Sequence, residues 1–236
     1  MSLAVVIPVY NEEKSIAVLI ADLTQLLETM NVQFNLIIIN DGSVDKSLAI
    51  LNELAASDSR ILLLNERNAG HGISLLKGYR AASEAEMVFQ IDSDYQYSLD
   101  AFKDLWNERS NYDLLIAERE QKESSVSRDI ISFMSRLQTK LLFGGGLRDI
   151  NSPFRLMNAR MLKKALNEIP ANTFAPNMLI SAYCIKNRLP IYTSVCHLNR
   201  DLILRKSRLS RQLFFGSVRT FSDMFKFRFN SSHNEK

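Results

Sequence analysis

Two carboxylates stand one residue apart at the end of an apolar stretch. Residues 87–91 read Met-Val-Phe-Gln-Ile, which is typical of a buried strand, and Asp92 and Asp94 follow directly. In an extended segment this spacing directs both side chains the same way, so two like charges meet and are costly to desolvate. A divalent cation relieves that cost, and a set of oxygen ligands favours Mg²⁺ or Mn²⁺. Asp92, Asp94 and the neutral oxygen of Gln96 are therefore candidate metal ligands, and the alternative is a solvated acidic turn.

The chain before this site alternates apolar strands with amphipathic helices. Strands are predicted at residues 3–7 (ended by Pro8), 34–39, 61–64 and 87–91. The first predicted helix has a single apolar face, formed by Ile16, Leu19, Ile20, Leu23 and Leu27. A second helix is predicted to begin near Asp45 and a third to run through Tyr79. This alternation with short connections predicts an α/β fold with an open, mainly parallel sheet flanked by helices.

Polar clusters follow all four predicted strands. They are Tyr10-Asn11-Glu12, Asp41-Gly42-Ser43, residues 68–72 and residues 92–94. Because open sheets of this kind bind ligands beyond the carboxyl ends of their strands, the four clusters form one candidate site. Gly70-His71-Gly72 lacks the third glycine of the dinucleotide fingerprint, which excludes a nicotinamide site. The two glycines indicate a tight turn and a close approach of the backbone to a ligand, whereas His71 alone predicts a solvated loop residue.

The composition fits a single domain in a reducing compartment. At 236 residues, of which 46% are hydrophobic, the chain can bury a full core. Cys184 and Cys196 lack metal-ligand spacing and are too few for a disulfide framework, so both are predicted to act as small apolar residues. The chain enters its first strand by Leu3 without a basic segment, and no apolar run approaches the roughly 18 residues of a membrane-spanning helix. We therefore expect a cytoplasmic protein.

The last 38 residues are basic, unlike the rest of the chain. Residues 199–236 hold nine Lys/Arg and three Asp/Glu, a balance of +6, which leaves −3 for residues 1–198. At helical spacing one face of this tail is apolar, with the basic residues on the neighbouring face: Phe214, Val218, Phe221, Phe225 and Phe229 beside Arg208, Arg211, Arg219 and Lys226. This pattern favours a helix lying in an anionic membrane interface, and the alternative is packing on the body or on a second subunit of a homo-oligomer. Nucleic-acid binding is not expected, since no basic stripe crosses the sheet.

The ordered polar blocks resemble those of a known enzyme family. PVYNE (8–12), NDGSVD (40–45), NAGHG (68–72) with LLKGY (75–79), and IDSDYQ (91–96) resemble the successive blocks of family 2 glycosyltransferases with the GT-A fold. AERE (117–120), RDIIS (128–132), RDINSPFRLM (148–157) and NMLISAYCIKNRLPI (177–191) resemble the polyprenyl-phosphate branch, typified by dolichol-phosphate mannose synthase. The resemblance implies a catalytic domain over residues 1–198, followed by the tail at 199–236.

The resemblance also implies roles for the donor-side residues. Pro8, Tyr10 and Glu12 would frame the nucleobase and Asp41 would bond it, while backbone amides near Gly70 and Gly72 would support the pocket. Asp92 would approach the ribose and the metal. Asp94 and Gln96 would hold the Mg²⁺ or Mn²⁺ ion against the diphosphate of a UDP- or GDP-sugar.

On the acceptor side, the resemblance assigns phosphate binding to Arg119, Arg128 and Ser132, with Arg200 as a further contact to the acceptor phosphates. Arg128 and Ser132 are four residues apart, so they share one face of a helix predicted over residues 126–142. Without the resemblance, Arg128 would be interpreted as part of a surface ion pair. Asp149, Ser152 and Arg155 match a further block, whose arginine is expected to be as much structural as catalytic.

The function implied is an inverting, metal-dependent transfer of a sugar from a nucleotide-sugar to a polyprenyl phosphate. The resemblance further implies a protein bound peripherally to the membrane, with a role in cell envelope biosynthesis. An ionised lipid phosphate needs no strong general base. Family members that glycosylate hydroxyls normally use an Asp of a Glu-Asp pair, and processive ones often carry a Gln-x-x-Arg-Trp block. This sequence has no Glu-Asp dipeptide, and its one tryptophan, Trp106, is not in such a block. The first alternative is transfer to a sugar hydroxyl in polysaccharide assembly, with Asp149 as the candidate base. The second is an inactive nucleotide-sugar-binding partner subunit.

Overall fold

The computed structural model of the protein describes residues 2–82, 84–119, 144, 147–197 and 223–228. Its strands are β1 (Ser2–Val9), β2 (Gln33–Asp41), β3 (Ile61–Glu66), β4 (Met87–Gln90), β5 (Leu114–Arg119), β6 (Arg155–Asn158) and β7 (Ile191–Cys196). Its helices are α1 (Ile16–Thr29), α2 (Ser47–Ser57), α3 (His71–Ala81), α4 (Asp100–Glu108), α5 (Ala159–Glu168) and α6 (Pro176–Lys186). A short helical segment also covers residues 223–228.

The strands of the described residues form one seven-stranded sheet in the order β3-β2-β1-β4-β6-β5-β7. Strand β6 runs antiparallel to both of its neighbours, β4 and β5, and the other neighbouring strands pair in parallel. The predicted open, mainly parallel sheet is confirmed. Strands β5, β6 and β7 were not predicted, and β6 is only four residues long.

The first strand differs from its prediction at one point. It was expected to end at Pro8, but β1 continues through Pro8 to Val9, paired with β2 alone beyond Val6. Proline is tolerated in a sheet where its missing N–H removes no ladder bond. Since the last β1–β4 pair is Val6–Gln90, the end of β1 behaves as an edge on that side.

Apolar layers cover both faces of the sheet, which explains why its strands are apolar rather than alternating. Along β1, Val5 and Ile7 face the layer that contains α1 and α4, whereas Ala4 and Val6 face the layer that contains α3, α5 and α6. The predicted apolar face of α1 is confirmed, because all five of its residues are buried: Ile16, Leu19, Ile20, Leu23 and Leu27. Cys184 and Cys196 are buried and unpaired, and burial raises the pKa of each thiol to about 12.

The helical segment at 223–228 lies on the body of the protein. Met224 and Phe227 are buried in the layer that contains α5 and α6, while Phe225 is half exposed. The hydroxyl of Thr173 donates to the Asp223 carboxylate at 2.9 Å, and the Lys186 ammonium lies 5.1 Å from the centre of the Phe227 ring. The remainder of the tail and the helix predicted at 126–142 lie outside the described residues. Among the helices that are described, none is long and apolar enough to cross a bilayer.

Candidate functional site

The polar residues after β1 and β4 lie where the strand order of the sheet reverses. Chain connections lead from β1 outward to β2 and β3 on one side, whereas β4 lies on the other side of β1. In open α/β sheets a crevice forms beyond the carboxyl ends of the strands at such a point. Tyr10 and Glu12 follow β1, and Asp92 and Asp94 follow β4. The structure therefore brings these two predicted clusters to the same crevice.

The loop after β1 is fixed by the loop after β2. The Ser43 hydroxyl accepts from the Asn11 N–H at 3.0 Å, and the Asn11 side chain accepts from the Val44 N–H at 2.8 Å. The Ser47 hydroxyl accepts from the Glu12 N–H at 2.8 Å. These bonds hold Asn11 in a left-handed conformation, with φ 56°, and leave the neighbouring Tyr10 side chain 47% exposed at the surface. An exposed ring on a rigid loop can pack against a flat ligand.

Asp41, predicted to bond the nucleobase, is buried, and both of its carboxylate oxygens accept backbone hydrogen bonds. Ala69 donates at 2.8 Å and Gly70 at 3.1 Å, so the carboxylate holds the loop between β3 and α3. Gly70 itself has φ 94°, a conformation that favours glycine. A side chain at Gly72 would come within 2.4 Å of the Phe174 carbonyl, so this glycine serves the packing of α3. The nucleobase contact of Asp41 stays a prediction.

The turn that contains Asp92 and Asp94 is fixed by α1 and the residue before it. The Ser15 hydroxyl donates to the Ser93 carbonyl at 2.9 Å. Tyr95 adopts φ 52°, which is uncommon for a bulky residue, and its hydroxyl donates to the Asp22 carboxylate at 2.6 Å. Burial and this hydrogen bond hold Tyr95 in a conformation that costs free energy on its own. The acidic turn is thus a rigid feature of the fold.

The site concentrates negative charge. Burial, followed by the charge of Asp92 and then that of Glu12, raises the pKa of Asp94 to about 6, although the Gln96 N–H and His71 act in the opposite direction. His71 is the first residue of α3, and its Nε2 atom lies 3.7 Å from Asp92 Oδ1. The sequence predicted a solvated loop residue, and the side chain is indeed 55% exposed, but it lies beside the acidic pair.

A divalent cation fits this chemistry. A carboxylate whose pKa is raised by burial and by a neighbouring carboxylate is stabilised in its ionised form by a nearby positive ion. Within the described residues no group of three or more His, Cys, Asp or Glu side chains is arranged to hold a metal by itself. Mg²⁺ sites commonly use one or two carboxylates together with water and phosphate oxygens, so Asp92 and Asp94 suffice with a phosphate ligand. The neutral oxygen of Gln96, two residues further along, stays a predicted ligand.

The acceptor side of the site is described only in part. Arg119 ends β5, while Arg128, Ser132 and Arg200 lie outside the described residues. The Ser152 hydroxyl is buried and donates to the Ala117 carbonyl at 2.6 Å, which places it inside the fold.

Arg155 is fully buried and donates to the backbone carbonyls of Ser152, Asn177 and Ile150. These bonds give it a structural role between β6 and α6. Asp149 lies in the turn that precedes β6.

Sequence reasoning missed the side chains that hold the acidic pair. Ser15 and Tyr95 were not singled out, and neither was Gln90, whose amide donates to Asp92 Oδ1 at 3.0 Å. Gln90 did offer a signal, since it is the one polar residue in the predicted strand 87–91. Ser15 and Tyr95 offered none, because their partners are distant in the sequence.

Comparison with known proteins identifies the family to which the chain belongs. The model of glycosyl transferase family 2 matches residues 4–166. An uncharacterized glycosyltransferase of Synechocystis is 30% identical over 180 residues, which are 73% of this chain and 55% of that protein. An undecaprenyl-phosphate 4-deoxy-4-formamido-L-arabinose transferase of Pectobacterium atrosepticum is 27% identical over 203 residues, which are 85% of this chain and 61% of that protein. The chain therefore spans little more than half the length of these relatives.

Solved structures show the same fold. Glucosyl-3-phosphoglycerate synthase from Mycobacterium tuberculosis, in complex with Mn²⁺, UDP and phosphoglyceric acid, superimposes with a TM-score of 0.68 at 16% identity, over 96% of this chain and 78% of that one. TarS 1–349 of S. aureus in complex with UDP-GlcNAc superimposes with a TM-score of 0.62 at 19% identity, over 96% of this chain and 67% of that one. The fold is thus the GT-A fold of nucleotide-sugar-dependent glycosyltransferases, as the sequence predicted. The chain belongs to glycosyl transferase family 2.

Proposed function

We propose that the protein transfers a sugar from a UDP- or GDP-sugar to a polyprenyl phosphate, with inversion at the anomeric carbon and with Mg²⁺ or Mn²⁺ as cofactor. The observation that carries the donor half is the acidic pair at the crevice, where the pKa of Asp94 is raised to about 6 beside Asp92 and Glu12. A cluster of like charges of this kind is costly in an empty site and becomes favourable when a metal and a diphosphate bind together.

The fixed loops of the site determine how a donor is oriented. Tyr10 and Glu12 border the crevice on a loop that is hydrogen-bonded to the loop after β2, so the nucleoside meets a surface formed before it binds. Asp41 holds the loop before α3, whose N-terminus has a positive dipole. Asp92, Asp94 and Gln96 would hold the cation, and when bound it would supply Lewis-acid stabilisation of the departing nucleoside diphosphate.

The acceptor half rests on the relatives and on the chemistry of a phosphate nucleophile. Relatives such as the transferase of Pectobacterium atrosepticum are undecaprenyl-phosphate sugar transferases by name. A phosphate monoester with a second pKa near 6 is largely ionised at neutral pH and attacks without a general base. Arg119, Arg128, Ser132 and Arg200 are the proposed phosphate contacts, since arginine binds phosphate oxygens in a planar, charge-assisted manner.

The tail is proposed to bring the protein to the surface where its lipid acceptor lies. Its positive charge suits an anionic bilayer, and the half-exposed Phe225 is an apolar side chain that can enter the interface. In the described part of the tail, Met224 and Phe227 pack on the body instead. Among the described residues of the tail, Phe225 is therefore the one proposed to enter the interface.

A direct assay tests both halves. The purified protein is incubated with MnCl₂, a short polyprenyl phosphate and a panel of UDP- and GDP-sugars, and the glycolipid product is measured. We expect product from one donor, no product in EDTA, and no product from Asp94→Asn, with a smaller loss for Gln96→Ala because a neutral ligand balances less charge. Full turnover in EDTA or in Asp94→Asn contradicts the metal assignment. Transfer to a sugar hydroxyl but to no polyprenyl phosphate would show that the acceptor is wrong.

A further inference from the structure

A chain of buried polar side chains links Asp92 to the start of α6. The Tyr79 hydroxyl lies 2.6 Å from Asn177 Oδ1, the Asn177 amide donates to Gln90 Oε1 at 2.9 Å, and the Gln90 amide donates to Asp92 Oδ1 at 3.0 Å. Tyr79, Gln90 and Asn177 are each at least 97% buried. Three neutral groups in the interior are thus connected, with the Tyr79 hydroxyl also 3.4 Å from Gln90 Oε1. The network ends on one of the two carboxylates of the candidate metal site.

The direction of the hydrogen bonds is determined from the Asp92 end, because a carboxylate oxygen accepts hydrogen bonds. Gln90 must therefore present its amide group to Asp92, and its own Oε1 accepts from the Asn177 amide. The Asn177 oxygen then faces Tyr79, whose hydroxyl donates to it. Each amide has one donor end and one acceptor end, so reversing either of them would place an oxygen against an oxygen. Asn177 and Tyr79 thus hold the Gln90 amide group toward Asp92.

The sheet fixes the position of Asn177 from two adjacent strands. Gln90 of β4 and Arg155 of β6 are directly paired across the antiparallel ladder. Gln90 contacts the Asn177 side chain, and the Arg155 guanidinium donates to the Asn177 backbone carbonyl at 2.9 Å. Asn177 is the second residue of α6, so the helix start is fixed to the sheet beneath the acidic pair. A buried, fully bonded network of this type specifies one geometry.

We infer that Asn177, acting through Gln90, is a positioning residue that fixes the Asp92 carboxylate in the orientation that binds the metal–nucleotide donor. The inference rests on the proposed function, since it takes Asp92 to be a donor-site ligand. Asn177 itself contacts neither the donor nor the metal. The hydrogen bond from Gln90 restrains Asp92 Oδ1, and a carboxylate with one restrained oxygen loses less rotational freedom when it binds a cation.

The test replaces the network without changing the charge of the site. Asn177→Leu keeps the approximate volume of the side chain but removes the amide that donates to Gln90 Oε1, which then has only the longer 3.4 Å contact with the Tyr79 hydroxyl. Gln90→Met removes the hydrogen bond to Asp92 directly. The affinity for Mn²⁺ in the presence of UDP or GDP is measured by electron paramagnetic resonance of free Mn²⁺. Each variant is expected to bind Mn²⁺ about tenfold more weakly, which is the loss typical of an outer ligand contact. The double variant is expected to lose no more than either single variant, because both act on the same bond.

A matched control uses the other end of the same helix. Asn187 follows α6, and its amide donates to the Tyr183 carbonyl at 2.9 Å. Asn187→Leu is therefore the same exchange on the same helix, away from Gln90, and it should leave Mn²⁺ affinity unchanged. Thermal unfolding without metal is measured for every variant. If Asn177→Leu does not fold, Tyr79→Phe carries the test: it removes only the hydroxyl that orients Asn177, and about threefold weaker Mn²⁺ binding is expected.

The outcomes separate this inference from the proposed function. If the wild-type protein binds Mn²⁺ with a nucleotide and Asn177→Leu binds it equally well at a lower melting temperature, the network is only structural and the inference is overturned. Unchanged affinity in Tyr79→Phe, where that variant carries the test, overturns it in the same way. If the wild-type protein itself binds no Mn²⁺ with either nucleotide, the proposed function fails and the inference falls with it.

Discussion

Replacing Asp94 by asparagine should stabilise the metal-free protein while abolishing its activity. The raised pKa of Asp94 means that its ionised carboxylate destabilises the folded, metal-free protein. Each pH unit between the ordinary 3.8 and about 6 is worth ~1.4 kcal/mol, so ionised Asp94 costs the metal-free fold about 3 kcal/mol. Asparagine keeps the shape of the side chain and an oxygen that can accept from the Gln96 N–H, but it has no charge. It therefore removes the cost and keeps the local contact.

The sign of the pH dependence follows from linkage. A folded-state pKa above the unfolded value means that the folded protein holds the proton more tightly. The stability that Asp94 contributes is therefore fully present below about pH 4 and is lost as the pH rises through about 6. The Asp94→Asn variant should match the wild type near pH 4 and exceed it by up to about 3 kcal/mol near pH 8.

The assay is urea unfolding in EDTA at several pH values, followed by the same measurement with MnCl₂ and a nucleotide. Under the second condition a ligand at a hundred times its Kd should stabilise the wild type by roughly 2.7 kcal/mol, and the variant far less. Asp100→Asn is the control, because that carboxylate begins α4 and is 84% exposed, so no pH-dependent gain is expected. A variant that is less stable than the wild type near pH 8, or a gain that is equally large near pH 4, would refute the reasoning.

Further predictions concern the acceptor side and the acidic turn. Arg128→Lys should cripple transfer to a short polyprenyl phosphate while the donor-induced thermal shift changes little, since lysine replaces a planar phosphate contact poorly. Asp149→Asn should be mild in the same transfer assay; a severe loss together with robust transfer to a hydroxyl would instead favour a general-base mechanism. Tyr95→Phe should lower the free energy of unfolding by about 1 kcal/mol in urea, because it removes the 2.6 Å hydrogen bond to Asp22, and an unchanged stability would show that this bond does not hold the turn.

The elements that could be predicted from the sequence are those with a strong local pattern. The runs at 3–7, 34–39, 61–64 and 87–91 are apolar and bounded by turn residues, and each falls on a strand of the structure, although β4 ends at Gln90 rather than Ile91. Strand β6 has no such pattern, because it is four residues long and begins with the buried Arg155. Arginine usually lies at the protein surface, so it does not indicate a buried strand. Its position between β4 and β5 is a consequence of long-range pairing, which a local pattern does not contain.

The candidate site shows the same division. The side chains at the strand ends could be predicted, because parallel strands bring their carboxyl ends to one edge of the sheet. The contacts that orient them could not. Ser15 reaches a carbonyl 78 residues away, and Gln90 meets Asn177 across 87 residues. The left-handed conformation of Tyr95 also has no local signal, because glycine or asparagine is the usual residue there.

The described part of the tail changes how its membrane role must be tested. Deleting residues 208–236 should reduce co-sedimentation with anionic liposomes, but the deletion also uncovers the apolar surface on which Met224 and Phe227 pack. A point variant avoids this. Phe225 is half exposed, and burying half of such a side chain in an interface is worth about 1 kcal/mol, so Phe225→Asp should weaken liposome binding about fivefold or more at an unchanged melting temperature. Phe227→Ala, at a buried position two residues away, should instead lower the melting temperature and leave liposome binding unchanged. Unchanged liposome binding in Phe225→Asp, with altered self-association, would assign this face to a second subunit.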